Sequence, residues 1–213
     1  MVRNITVGEL ADALVEMGAR GRIIAGIAGP PGVGKSTLCA QLSELINQRL
    51  PSGSVILPMD GFHYDDRVLS QLGLLHRKGA PETFDAGGFL ATLKRVREQR
   101  EESVAVPVFD RKLELSRAGG RLIRRHTPIV LVEGNYVLLD ADPWRHTGPL
   151  LDVGVMLRAE EAELERRLRA RWAGLGVGVA ETEQRIRNND MVNGSLVLQH
   201  SRQPDYMLDT GAD

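Results

Sequence analysis

The stretch Gly29-Pro30-Pro31-Gly32-Val33-Gly34-Lys35-Ser36 has the form G-x-x-x-x-G-K-S and joins two segments of different periodicity. Before it runs Arg22-Ile23-Ile24-Ala25-Gly26-Ile27-Ala28, a short apolar run with the character of a buried strand. After it, Thr37 to Ile46 carries apolar residues at helical spacing. Strand, glycine loop and helix in that order form a phosphate cradle: backbone N–H groups curl around the anion and the helix N-terminus favours it. Gly29, Gly32, Val33, Gly34, Lys35, Ser36 and Thr37 are therefore the expected nucleotide-binding residues. Lys35 can reach the outer phosphates, and the Ser36 hydroxyl can ligate Mg²⁺ beside ATP.

The rest of the chain alternates in the same way. Ser54–Met59, Pro128–Val132, Leu151–Leu157 and Tyr206–Leu208 read as strands, and Ser103–Phe109 as extended. Asp85–Glu98, Glu160–Trp172 and Glu181–Val192 read as helices, the first with Asp85 as its N-cap. Ile5, Leu10, Leu14 and Met17 among Glu9, Asp12 and Glu16 give an amphipathic helix from about Thr6. This predicts an α/β fold with a parallel five-stranded sheet between helical layers. With 213 residues and no repeat or linker, a single domain over 1–213 is expected.

Composition narrows the partners. A net charge of −1 gives no reason to expect nucleic acid. No apolar stretch reaches the length of a membrane span. The acidic N-terminal helix lacks the continuous apolar core of a signal peptide, so a cytoplasmic location is expected. The single cysteine, Cys39, fits a reducing compartment and a small packing role. Oligomeric state is not legible, and a homodimer is open.

In a parallel sheet the ligand sits at the carboxyl ends of the strands. That rule brings Asp60, at the end of the second strand, and Glu133, at the end of the Pro128–Val132 strand, beside the phosphate loop. Asp60 could take the proton of an attacking hydroxyl, or cap the turn before Gly61. Glu133 fits a Mg²⁺-ordering carboxylate, or a surface residue closing its strand. His63, in the aromatic loop after Asp60, is a weaker candidate on the same edge.

Gly29–Ser36, Met59-Asp60-Gly61-Phe62-His63, Pro81-Glu82-Thr83-Phe84-Asp85, Val106–Arg111, Val130–Tyr136 and Asn189-Asp190 with Asn193 together resemble one family. It is the P-loop kinases that include uridine kinase, phosphoribulokinase and bacterial pantothenate kinase. The chain is most similar to the short bacterial branch labelled fructokinase-like or fructose-transport-system kinase. The resemblance implies a nucleoside-kinase-like three-layer P-loop fold with a small lid at about 158–180. It implies ATP and Mg²⁺ on Lys35 and Ser36, with Asp60 as general base. Asp85, Phe109 and Arg111 would line an acceptor pocket with Asp60, His63 and Glu133. Two other uses are open: Asp85 as a helix cap, and Arg111 paired with Asp110 or Glu114. The continuation Lys112–Arg117 lacks the family's base-recognising histidine, which points from a nucleoside towards a sugar such as fructose.

The lid region is rich in arginine. Glu163–Arg167 and Glu165–Arg169 stand at i,i+4, so part of this charge is a self-paired helix face. The resemblance places one or two arginines over the transferred phosphate, with Arg167, Arg169 and Arg171 as candidates. Gly174-Leu175-Gly176-Val177-Gly178 suits a hinge. The expected activity is transfer of a phosphoryl group from ATP to a hydroxyl of a small metabolite. The alternatives are a nucleoside or pantothenate-like acceptor, or a regulatory ATPase switch associated with a transporter.

Overall fold

A computed structural model describes residues 2–211; of the domain expected over 1–213, Met1 and residues 212–213 lie outside it. The first half runs β1 (Arg3–Asn4), α1 (Val7–Gly18), β2 (Ile23–Ala28), α2 (Lys35–Arg49), β3 (Ser54–Pro58), α3 (Asp66–Gln71) and α4 (Ala86–Glu98). Then come β4 (Ser103–Asp110), β5 (Leu115–Arg124), β6 (Ile129–Glu133) and β7 (Val153–Arg158). The chain closes with α5 (Glu161–Gly174), α6 (Val179–Arg185), α7 (Met191–His200) and β8 (Tyr206–Asp209).

The central sheet has the order β1-β8-β7-β2-β6-β3, and every neighbouring pair is parallel. Alternation sends Ile23, Ala25 and Ile27 of β2 to one face with Leu10 and Leu14 of α1 and Leu38, Leu42 and Ile46 of α2. Ile24 and Ala28 point the other way, onto Phe89, Leu93 and Val96 of α4 and Trp144. Both faces are buried, which is why these strands read as unbroken apolar runs. Helix α1 starts where its sequence says it should: Glu9 N donates to Thr6 Oγ1 at 3.3 Å and Thr6 N to Glu9 Oε2 at 2.9 Å, a reciprocal cap.

Two expectations change. The sheet has six strands rather than five, because Arg3–Asn4 adds to the edge, pairing with Tyr206 and Met207 of β8. A strand of 2 residues has no periodicity to announce it. The segment after Asp110, for which no strand was expected, returns as β5 and pairs antiparallel with β4. This hairpin packs on the turn that follows β3. Gly61 is required there, since a Cβ would run into the Pro107 backbone. The expected helix over Glu181–Val192 lies inside a longer helical run, α6 and α7 joined by a π segment, Ile186–Asp190.

Candidate functional site

The phosphate loop leaves β2 and enters α2. Gly34 is the N-cap of α2, at φ 95° and ψ 22°, and no side chain caps the helix. The first-turn N–H groups therefore lack a side-chain acceptor, and an anion can take that place. Gly32, at φ 81°, lies against α5, where a Cβ would stand 3.0 Å from Leu168. Lys35 Nζ donates to the loop's own carbonyls, Gly29 O at 3.0 Å and Pro30 O at 2.9 Å. Desolvation lowers its ammonium to about 8, opposed by Glu133 and then Asp60, although the side chain keeps partial access to solvent. Val33 is buried, and Thr37 is exposed on the first turn of α2.

The strand-end rule holds for both acids. Glu133 ends β6, only 5% exposed, and accepts from Ser36 Oγ at 3.2 Å. Burial pushes its carboxyl up, the Asp60 charge adds to that, and Lys35 opposes it. Asp60 lies in the 3-10 turn Met59–Phe62 after β3. Its Oδ2 accepts from Arg111 Nη2 at 3.0 Å. A cavity of about 270 Å³ runs from Ser36 and Glu133 past Asp60 to Phe109, Arg111 and Arg121. Among the described residues no group of three or more His, Cys, Asp or Glu forms a ready-made metal cage. A hydroxyl and one carboxylate nonetheless suit Mg²⁺, which prefers hard oxygen donors and completes its shell with water and phosphate. The uncapped helix start and the Ser36–Glu133 oxygens thus fit a nucleotide with its metal.

The acceptor-side candidates divide. His63 stacks between Phe84 and Phe109, with ring centroids 3.9 and 5.1 Å away, and its Nδ1 lies 3.0 Å from Asp60 O. Burial disfavours its charged form, so it braces the Asp60 turn as a neutral ring. Phe109 also carries Lys78 Nζ over its face at 5.4 Å. Arg111 pairs with Asp60 itself, and not with Asp110 or Glu114 as its sequence neighbourhood suggested. Those acids are engaged by Arg117 and Lys78. Asp85 is exposed and caps α4, its Oδ1 accepting from Gly88 N at 2.8 Å. Asp85→Ala should therefore cost about 1 kcal/mol of stability, the usual worth of an N-cap, and leave the acceptor KM within about twofold. A thermal melt and a KM measurement check this, and a large KM rise at normal stability would return Asp85 to the pocket.

The arginines of α5 also separate. The pairs Glu163–Arg167 and Glu165–Arg169 form as their spacing required, each within 2.8 Å. Arg167 continues to Val33 O and Thr210 O, at 3.2 and 2.6 Å, and so buttresses the phosphate loop from behind. Arg169 is exposed and held by Glu165 and Glu183. Arg171 forms no ion pair with a carboxylate among the described residues. Desolvation and then the Arg111 charge lower its guanidinium and Asp60 opposes them, although the residue is exposed to solvent. Trp172 beside it donates from Nε1 to the buried Asp190 at 2.8 Å. Trp144 is core and Cys39 is buried. Arg121 is the cavity-lining residue that sequence reasoning missed; its place follows from the docking of the β4–β5 hairpin on β3.

Known proteins share this fold. Residues 26–176 match the family described as an AAA domain. A protein of Schizosaccharomyces pombe, provisionally named a uridine kinase, is 33% identical over 194 residues, covering 88% of this chain and 83% of that protein. Pantothenate kinase of Enterococcus faecalis is 29% identical over 154 residues, 71% of this chain but 50% of the kinase. Among solved structures, a provisionally named fructose transport system kinase from Silicibacter sp. TM1040 superposes with a TM-score of 0.84 at 35% identity, over 96% of this chain and 99% of that one. No helix among the described residues is long and apolar enough to cross a membrane.

Proposed function

The chain belongs to the P-loop kinases related to uridine kinase and pantothenate kinase, and we propose that within them it phosphorylates a hydroxyl of a small metabolite of the sugar class, using ATP and Mg²⁺ in the cytoplasm. The observation that carries this reading is the single cavity joining Ser36 and Glu133 to Asp60 and the hairpin. Phosphoryl transfer asks for positioning and charge more than covalent chemistry, and these residues supply both. The phosphate loop holds the nucleotide, and Lys35 leaves its resting carbonyls to bond the outer phosphates. Bound Mg²⁺ would neutralise charge on those phosphates, held by Ser36 and, through water, Glu133. Asp60 orients the acceptor hydroxyl and takes its proton. The likeness to the Silicibacter protein, whose name refers to fructose transport, supports the sugar class.

The region 158–180 is the lid in this reading. Helix α5 runs into Gly174–Gly178, where Gly176 has φ 76°. Closing it excludes water, and Arg171, on α5 beside the phosphate loop, serves the transferred group. Without an acceptor the lid stays open and hydrolysis is slow.

The test is ADP release from purified protein with ATP and Mg²⁺, alone and with fructose, other sugars, ribonucleosides or pantothenate, followed by the mass of the product. An acceptor should raise the rate on the order of 10²-fold or more, since positioning contributes at least that much. Fast, acceptor-independent ADP release would support the ATPase-switch alternative instead.

A further inference from the structure

We propose that the acceptor carries an oxyanion, a phosphate or a carboxylate, and that Arg121 binds it; this rests on the kinase reading above. Along the carboxyl edge of the sheet, β2, β6 and β3 present the phosphate loop, Glu133 and Asp60 in that order. Strand β3 is the last in the sheet, and the β4–β5 hairpin lies beyond it. Arg121 of β5 donates from Nη1 to Ile56 O at 2.6 Å, on the free edge of β3. It lines the same cavity as Asp60 and Glu133. An attacking hydroxyl at Asp60 therefore has the phosphate loop on one side and Arg121 on the other.

Three other arginines of the hairpin and its flanks are balanced by acids, while Arg124, exposed at the end of β5, is not part of the cavity. Arg111 pairs with Asp60 at 3.0 Å, Arg117 with Asp110 at 3.2 Å and Arg125 with Glu102 at 3.2 Å. Arg121 has no carboxylate partner among the described residues; its side chain donates to a neutral carbonyl. A guanidinium has five N–H donors, and capping an edge carbonyl uses only one of them. That structural task requires no charge. A half-buried cation without a counterion is unfavourable in protein and favourable once an anion fills the cavity. Asp60 and Glu133 repel an anionic acceptor, and Arg121, lining the same cavity, offsets that repulsion.

The step balances without using that anion. The acceptor hydroxyl oxygen bonds to the γ-phosphorus while the bond from phosphorus to the β,γ-bridging oxygen breaks. ADP leaves with that electron pair, the hydroxyl proton passes to Asp60, and the acceptor's oxyanion is unchanged. Arg121 sets specificity and is not a catalytic residue.

Two measurements test this. In the first, wild-type protein turns over matched acceptors: fructose against fructose 1-phosphate and fructose 6-phosphate, glucose against gluconate, and glycerol against glycerate. The anionic member should win in kcat/KM by on the order of 10- to 100-fold, the worth of a charge-assisted hydrogen bond; phosphate- and carboxylate-bearing arms identify which oxyanion is preferred. A neutral member preferred over its partners overturns the inference and leaves the kinase reading intact. Absence of acceptor-dependent ADP release from every compound removes both. In the second, a non-hydrolysable ATP analogue with Mg²⁺ fills the phosphate loop, and inorganic phosphate is added. Phosphate should raise the melting temperature of wild type and of Arg121→Lys, but not of Arg121→Gln. A melting temperature unmoved by phosphate in wild type, or raised equally in Arg121→Gln, contradicts the inference. If Arg121→Gln does not fold, the matched acceptors and the wild-type response to phosphate decide alone.

Discussion

Replacing Lys35 with alanine is expected to lower kcat on the order of 10²- to 10³-fold and leave the protein folded. The side chain's hydrogen bonds are to Gly29 O and Pro30 O, carbonyls of its own loop. It anchors no other element, and desolvation already disfavours its charge. Deleting it therefore removes little that holds the fold. In the transition state the same ammonium faces the charge spread over the moving phosphoryl group, in a site largely cleared of water. Losing one such preorganised donor typically costs about 3–4 kcal/mol of barrier. Single-turnover rates and a thermal melt measure both halves of the expectation. A folded Lys35→Ala protein with near wild-type turnover would leave the mechanism without its main electrostatic element.

Asp60→Asn should lower kcat on the order of 10²-fold or more with ATP affinity changed only slightly. Removing a general base costs about that much. The amide keeps an oxygen for Arg111, and the pair is half-exposed at 50% and 30%, so losing its charge costs less than about 1 kcal/mol. The phosphate loop is untouched because it follows β2 and Asp60 follows β3, with β6 between them. Rapid-quench kinetics and nucleotide titration separate the two quantities. A collapse of ATP binding with a normal rate per bound ATP would make Asp60 a metal or structural residue.

How much of this was legible depended on where each contact lies along the chain. The phosphate loop is contiguous, and its strand–loop–helix setting spans residues 23–49 in the structure as in the sequence. Asp60 and Glu133 are far apart in sequence, but both terminate apolar runs, and the strand-end rule brings them together from the sequence alone. The Arg111–Asp60 pair escaped because nearer acids, Asp110 and Glu114, offered equally plausible partners; burial and hairpin geometry chose Asp60. Arg121 escaped for a related reason. Strand β5 is exposed over most of its length and contains Gly119-Gly120, so it lacks the apolar alternation that marks a half-buried strand. Its contact with Ile56 spans 65 positions and follows only from the hairpin docking on the edge of β3. The α5 arginines could be paired from spacing alone, yet spacing could not show which one would lack an acid, because Glu183, the second partner of Arg169, comes from α6.

The central claim is that the γ-phosphoryl group goes to a hydroxyl held at Asp60 and not to water. It is tested most directly with ATP labelled in that group, incubated with wild-type protein, Mg²⁺ and the acceptor that most stimulates ADP release. The label should appear in the phosphorylated acceptor, with inorganic phosphate formed at least about 10²-fold more slowly. Label released as inorganic phosphate at the same rate with or without acceptor would contradict it.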